Sequence, residues 1–177
     1  IGSKSVLLEF EMLQMFSSVF KRLKLDDVSI RINHRSVLNI IAKQIRINNN
    51  LSNHAFVEAD PDRIHQVFNN LISNAIRYTD EGLISINIEN KESMVLFSVS
   101  DTGVGINKDS IHRIFERFYR TQNARSRVKS GTGLGLSIVK HIIEAHGASI
   151  KVESEIDKGT TFSFELKKIR ESSEQRK

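Results

Sequence analysis

The sequence has 177 residues, 39% of them hydrophobic and 27% charged, which suits one globular domain with an appended helix or tail. It contains no cysteine, which excludes a disulfide framework, cysteine-ligated zinc and thiol catalysis, and fits a reducing cytoplasm. The net charge is +5, and Arg113, Arg117, Arg120, Arg125, Arg127 and Lys129 gather in one short stretch instead of along one long helix. That distribution suits a compact polyanion such as a nucleoside triphosphate at least as well as nucleic acid. No apolar run approaches the roughly 20 residues of a bilayer span, and the N-terminus lacks the basic-then-apolar order of a signal peptide. The chain is therefore expected to be soluble as it stands.

Taken in chain order, residues 4–24, "KSVLLEFEMLQMFSSVFKRLK", read as a helix with apolar residues on more than one side. The spacing of Val37, Leu38, Ile41 and Ile45 predicts a second helix from Arg35 to Asn48, followed by a polar loop, "NNNLSNH". Asp60 as N-cap and Pro61 at the first helical position open a long helix ending near Thr79. "DEG" at 80–82 is a turn, and the alternating segments around Ile84 to Ile88 and Val95 to Val99 form a hairpin. A short helix is expected over 109–118, a mobile loop over 121–130, and a helix after the glycine cluster that ends at Gly147 as its C′ residue. Strands at about 148–155 and 160–167 and a polar tail close the chain, and no internal repeat is visible. The fold class is α+β, with helices layered on one face of a mixed sheet.

Four short segments carry chemistry. In the long helix, Asn70, Asn74 and Arg77 lie beside the stripe of Ile64, Val67, Phe68, Leu71, Ala75 and Tyr78. Asparagine is a mediocre helix former, so this pair is either a set of carboxamides aimed at a metal or phosphate shell or a solvated polar edge. In "SVSDTGVGI", strand alternation puts Asp101 on the same face as Val95, Phe97 and Val99. A buried acid needs a partner, and the exocyclic amine of adenine is one; Gly103 and Gly105 would let backbone approach such a ring, although an Asp-Gly turn capping a strand reads the same way. In "IFERFYR", Phe115 and Phe118 would anchor a segment whose Arg117 and Arg120 either reach a phosphate or stay solvated. In "SGTGLGLSIVK", Gly131, Gly133 and Gly135 precede a helix N-terminus, a natural anion site or else a flexible hinge. The spacing matches neither a P-loop nor a Rossmann fingerprint.

In their order, "NNLISNAIRYT", "DTGVGI", "FERFYR" and "GTGLGLSIVK" resemble the N, G1, F and G2 boxes of the ATP-binding catalytic domain of sensor histidine kinases, part of the wider ATPase group of gyrase, Hsp90 and MutL. The resemblance covers residues 27–168, leaving 1–26 as an N-terminal helix that could end a dimerisation hairpin and 169–177 as a tail. It implies a two-layer α/β sandwich of the Bergerat type, with helices on one face of a mixed, mostly antiparallel sheet and a lid over residues 121–130. It implies ATP and Mg²⁺ as cofactors. By the resemblance Asp101 binds adenine, Asn74 holds Mg²⁺ with Asn70 beside it, Arg77 lies near the phosphates and Tyr78 lines the pocket. Asn70 and Arg120 serve the transfer, with Arg120 reaching the γ-phosphate. Gly103 and Gly105 approach the base, and Gly131, Thr132, Gly133, Leu134 and Gly135 form the phosphate-facing loop.

One family element has no counterpart. None of His34, His54, His65, His112, His141 or His146 stands in an H-E-x-R-x-P-like context, so the chain is expected to bind Mg·ATP without phosphorylating itself. The implied partners are the histidine hairpin of the same kinase and a response regulator, with no nucleic acid, in a full-length homodimer whose cytoplasmic domain this is and whose remainder is anchored in the bacterial membrane. The alternatives are an anti-sigma-type protein-serine kinase and a nucleotide-sensing module without kinase activity.

Overall fold

The structure, a computed structural model, describes residues 45–51, 56–127 and 131–169. The expected helix over 4–24, the first part of the helix from Arg35 and the tail from 170 lie outside them.

Five strands form one sheet in the order β1-β2-β3-β5-β4: β1 (Ile45–Leu51), β2 (Gly82–Asn90), β3 (Met94–Asp101), β4 (Ile150–Glu155) and β5 (Gly159–Lys167). β1 runs parallel to β2 and the other three pairings are antiparallel, which makes the sheet mixed and mostly antiparallel as the sequence implies. The register of β1, Ile45 opposite Gly82 to Leu51 opposite Ile88, overturns two expectations. Residues 45–48 do not end a helix, and 48–51 do not form a loop. Ile41 and Ile45 fit a helical period, but "IRINNNL" also alternates and is rich in poor helix formers, and pairing with a sheet edge decides between the two.

The long helix α1 (Pro61–Tyr78) starts as expected. The Asp60 side chain accepts the Arg63 N–H at 3.1 Å, and Pro61 fills the first position, where no amide hydrogen is needed. Short helices α2 (Lys108–Ile111) and α3 (Gln122–Arg127) follow, then α4 (Gly135–Ala145). α2 is shorter than the helix expected over 109–118; the chain continues in turns to Phe118, whose φ is 64°. α3 lies where a loop was expected, over 121–130. Its start is held by Thr121, whose Oγ1 accepts the Ala124 N–H at 3.1 Å, a local cap that composition alone hides. α4 ends as expected: Gly147 has φ 69°, and its N–H reaches the Glu144 carbonyl at 2.9 Å.

α1 buries Ile64, Val67, Phe68, Leu71, Ile72, Ala75 and Ile76, and α4 buries Val139, Ile142 and Ile143, against Ile84, Ile86, Val95, Phe97, Val99, Phe164 and Leu166 of the sheet. At the centre Phe97 stacks on Phe164 with ring centroids 5.2 Å apart, and Phe68 meets both at 5.9 Å. The two helices are also tied end to end. His146 Nε2 accepts the Asp60 N–H at 3.0 Å while Nδ1 lies 2.7 Å from the Ile142 carbonyl, so the ring donates from Nδ1 and joins the end of α4 to the start of α1. Among the described residues no helix is long and apolar enough to cross a membrane.

Candidate nucleotide site

The opposite halves of α1 and α4 frame a cavity of about 390 Å³. Five segments far apart in sequence line it, one of them β5 with Thr160 and Phe162. α1 contributes Asn70, Ser73, Asn74, Arg77 and Tyr78; the end of β3 and the turn after it contribute Asp101, Val104, Gly105 and Ile106. Tyr119 and Arg120 come from the F segment, and Gly131, Thr132, Gly133, Gly135 and Leu136 from the glycine stretch and the start of α4. Of the residues singled out from sequence, Gly103 and Leu134 do not line the cavity.

Asp101 ends β3 half-buried. Its Oδ1 accepts the Gly103 N–H at 2.9 Å, and the Thr160 N–H also bonds the carboxylate. Burial nevertheless prevails over these two donors and holds its pKa above the ordinary carboxylate value. A partly buried carboxylate with lone pairs left over is an acceptor waiting for a donor.

The glycines after it serve packing first. A Cβ on Gly103 would run into the Tyr78 carbonyl, and one on Gly105, with φ 66°, into the Glu155 carbonyl, so both positions are held tightly against neighbouring backbone. The turn is thereby pressed against the end of α1 and the β4–β5 connection, and Val104 N–H bonds the Tyr78 carbonyl at 3.2 Å.

On α1, Asn70 donates from Nδ2 to the Gln66 carbonyl at 2.9 Å, which turns its Oδ1 toward Gly135; a Cβ on that glycine would lie 2.8 Å from it. Asn74, one turn on, has no hydrogen-bond partner among the described residues and lines the cavity. No group of three or more His, Asp or Glu side chains comes together among the described residues, so no all-protein metal cage is present there.

The F segment departs from expectation. Phe115 does anchor it, half-buried with its ring 6.4 Å from that of Phe162, but Phe118 is 69% exposed. The left-handed backbone at Phe118 throws the ring outward, and its N–H is held by the Gly133 carbonyl at 2.9 Å. The arginines also separate. Arg113 pairs with Glu116 at 3.3 Å and covers the Tyr119 ring, Arg117 and Arg125 are exposed, and of these four basic residues with Arg120 only Arg120 lines the cavity. The Arg120 guanidinium donates to the Gly131 carbonyl at 3.0 Å and to the Ala124 carbonyl at 2.5 Å, so it binds α3 to the glycine stretch instead of projecting freely.

Gly133, with φ 70°, fits under this turn, since a Cβ would lie 2.7 Å from the Phe118 carbonyl carbon. Gly133→Ala is expected to destabilise the domain by about 1–3 kcal/mol through strain and collision. A urea-unfolding midpoint unchanged from wild type would show that this contact does not persist in solution.

Sequence reasoning missed Thr160, which is 7% exposed and pairs with Asp101 across β3 and β5. It also missed the apolar walls, Val104, Ile106, Ile114 and Phe162. The alternation of "GTTFSFEL" marks a strand, but only the register brings Thr160 beside the acid.

A β3-end carboxylate, two asparagines one helical turn apart and a glycine stretch thus face one cavity. The family model of histidine kinase-, DNA gyrase B- and HSP90-like ATPases matches residues 59–170, and the chain belongs to that family. Within it the similar proteins are sensor histidine kinases, and the domain is of their ATP-binding catalytic type. WalK of Bacillus subtilis (strain 168), a sensor histidine kinase, is 46% identical over 114 residues, 63% of this chain and 19% of its own length. The sensor protein SrrB of Staphylococcus aureus (strain NCTC 8325 / PS 47) is 51% identical over 110 residues, again 19% of its length. The chain thus spans about a fifth of these relatives. The nucleotide-free catalytic domain of the histidine kinase ThkA aligns with a TM-score of 0.64 at 30% identity over 91% of this chain and 95% of its own. Full-length ShkA in complex with AMPPNP aligns with a TM-score of 0.64 at 26% identity, over 92% of this chain and 37% of its own.

Proposed function

We propose that the cavity binds Mg·ATP and presents its γ-phosphoryl group to a histidine on a dimerisation hairpin of the same kinase, for relay to a response regulator. The observation that carries this reading is the convergence of Asn70, Asn74, Arg77, Asp101, Arg120 and the glycine stretch on one cavity in a domain of the sensor kinase type.

Each residue contributes a separable part. Asp101 accepts from the adenine amine, and the apolar walls Val104, Ile106, Ile114 and Phe162 exclude water from the base. Asn70, Arg77 and the backbone amides at the start of α4 face the phosphates, where the unpartnered N–H groups of a helix start favour negative charge. Arg120 stabilises charge on the γ-phosphate once the phosphates compete for its guanidinium. The donor set also fits Mg²⁺. The cation takes most of its ligands from phosphates and water, and an unpartnered carboxamide such as that of Asn74 supplies the one protein oxygen such a site needs. Held there by Asn74, Mg²⁺ would supply neutralisation of phosphate charge. Full-length relatives are sensor proteins, and on this reading the intact protein is a membrane-anchored homodimer.

The six histidines stand in no acceptor-like context, so incubation with γ-labelled ATP should leave the chain unlabelled and should label a separately supplied acceptor hairpin. Stable label on the chain itself, or labelling of serine in a supplied protein, would overturn this assignment of the acceptor.

A further inference from the structure

The hydroxyl of Ser154, on β4, touches two parts of the cavity wall at once. Its Oγ lies 2.8 Å from the Ile106 N, 2.9 Å from the Gly159 carbonyl oxygen and 2.9 Å from Thr160 Oγ1. Ile106 and Thr160 line the cavity, whereas Ser154 stands behind it.

Counting protons settles the direction of every bond. A serine hydroxyl has one proton to give and two lone pairs to receive. The Ile106 N–H only donates and the Gly159 carbonyl only accepts, so one lone pair is taken by Ile106 and the Ser154 proton goes to Gly159. The third contact is satisfied only if Thr160 donates its own proton to the remaining lone pair. Thr160 Oγ1 then has nothing but lone pairs to offer any other group.

Thr160 is the register partner of Asp101, whose carboxylate is itself an acceptor. We propose that Ser154 is a specificity-determining positioning residue: by holding the Thr160 hydroxyl as an acceptor beside Asp101, it makes the base end of the cavity choose a purine with an exocyclic amine and reject one with a carbonyl there. A threonine hydroxyl free to rotate would serve an amine or a carbonyl equally. One whose proton is already committed opposes a carbonyl with two acceptors, and a buried acceptor facing an acceptor is strongly penalised. The inference rests on the reading of Asp101 as the adenine partner.

ATP and inosine triphosphate differ in the base edge, where an amine and an acceptor nitrogen are replaced by a carbonyl and an N–H, and are otherwise alike in size and charge. Calorimetric titration of both into the chain should show ATP preferred by about 100-fold or more in wild type. Ser154→Ala frees the Thr160 proton, and the preference should fall about tenfold, while Ser154→Thr, which keeps the hydroxyl, should retain it. In a Thr160→Val background Ser154→Ala should leave the ratio unchanged, a result that general loosening of β4 would not give. Should Ser154→Ala fail to fold because Ile106 loses its acceptor, Thr160→Val, which keeps Ser154 and its bond to Ile106, tests the same hydroxyl: the preference should fall about tenfold, and an unchanged preference would overturn the proposal. Equal binding of the two nucleotides by wild type would overturn the adenine reading of the site. Wild-type discrimination that survives Ser154→Ala intact would overturn the role of Ser154 alone.

Discussion

Asp101→Asn is expected to weaken ATP binding about 100-fold while leaving the domain folded. The carboxylate accepts the Gly103 N–H at 2.9 Å and a second amide from Thr160, and an asparagine oxygen preserves part of that bonding. The new NH₂ group, however, faces the adenine amine donor to donor, and a buried mispaired donor is penalised far more than a lost bond. Competition against a fluorescent nucleotide measures the first effect, and urea unfolding the second. The pH dependence follows from burial, which raises the folded pKa of Asp101 above its unfolded value. The protonated acid is therefore favoured in the fold. Its contribution to stability is fully present below the unfolded pKa and is lost as pH rises through the folded pKa. Above that point wild type carries a disfavoured buried charge that Asp101→Asn lacks, so the stability of the variant relative to wild type should improve across that window and then level off. ATP binding should run the other way: wild type loses affinity as pH falls through the raised pKa, while the variant stays flat.

Asn74→Ala is expected to reduce phosphoryl transfer to a supplied acceptor hairpin by about 10²–10³, with a much smaller effect on binding of ADP without metal. The Asn74 side chain bonds nothing among the described residues, so its removal leaves no protein group orphaned and the fold should be unchanged. Metal dependence separates a ligand from a mere wall residue. If Asn74 supplies an oxygen to Mg²⁺, the benefit of adding Mg²⁺ to a nucleotide titration shrinks in the variant; if that benefit is undiminished, the carboxamide is not a metal ligand.

Local signals made most of the frame legible. The Asp60 and Pro61 start, the stripe on α1, the alternation of β2 and β3 and the Gly147 stop are all short-range statements, and each appears as written in the chain. What escaped was decided by neighbours distant in sequence. β1 is a strand because β2 offers it an edge in parallel register, a contact more than 30 residues away in the chain that no window of sequence contains. Phe118 looks like an anchor by hydrophobicity, yet its φ of 64° turns it outward because the Gly133 carbonyl holds its N–H. The arginines of the 113–127 stretch share a neighbourhood in sequence but not a surface: the turns after α2 leave only Arg120, among those whose side chains are described, on the cavity. Thr160 and Ser154 were invisible for the same reason, since their partners are fixed by sheet register and a turn. The glycines were legible as residues that permit close approach, but the approaching groups here are protein: the Tyr78 and Glu155 carbonyls, the Phe118 backbone, and the side chains of Arg120 and Asn70.

If this one cavity is the ATP site, with Asp101 reading the base and α1 facing the phosphates, the nucleotide has one place to bind. The most direct test is a calorimetric titration of Mg·ATP into the wild-type chain, Asp101→Asn and Asn74→Ala under identical conditions. Wild type should show a single site, Asp101→Asn near-complete loss of heat, and Asn74→Ala weakened binding that gains little from Mg²⁺. Unchanged affinity in both variants would place the nucleotide elsewhere and contradict this assignment.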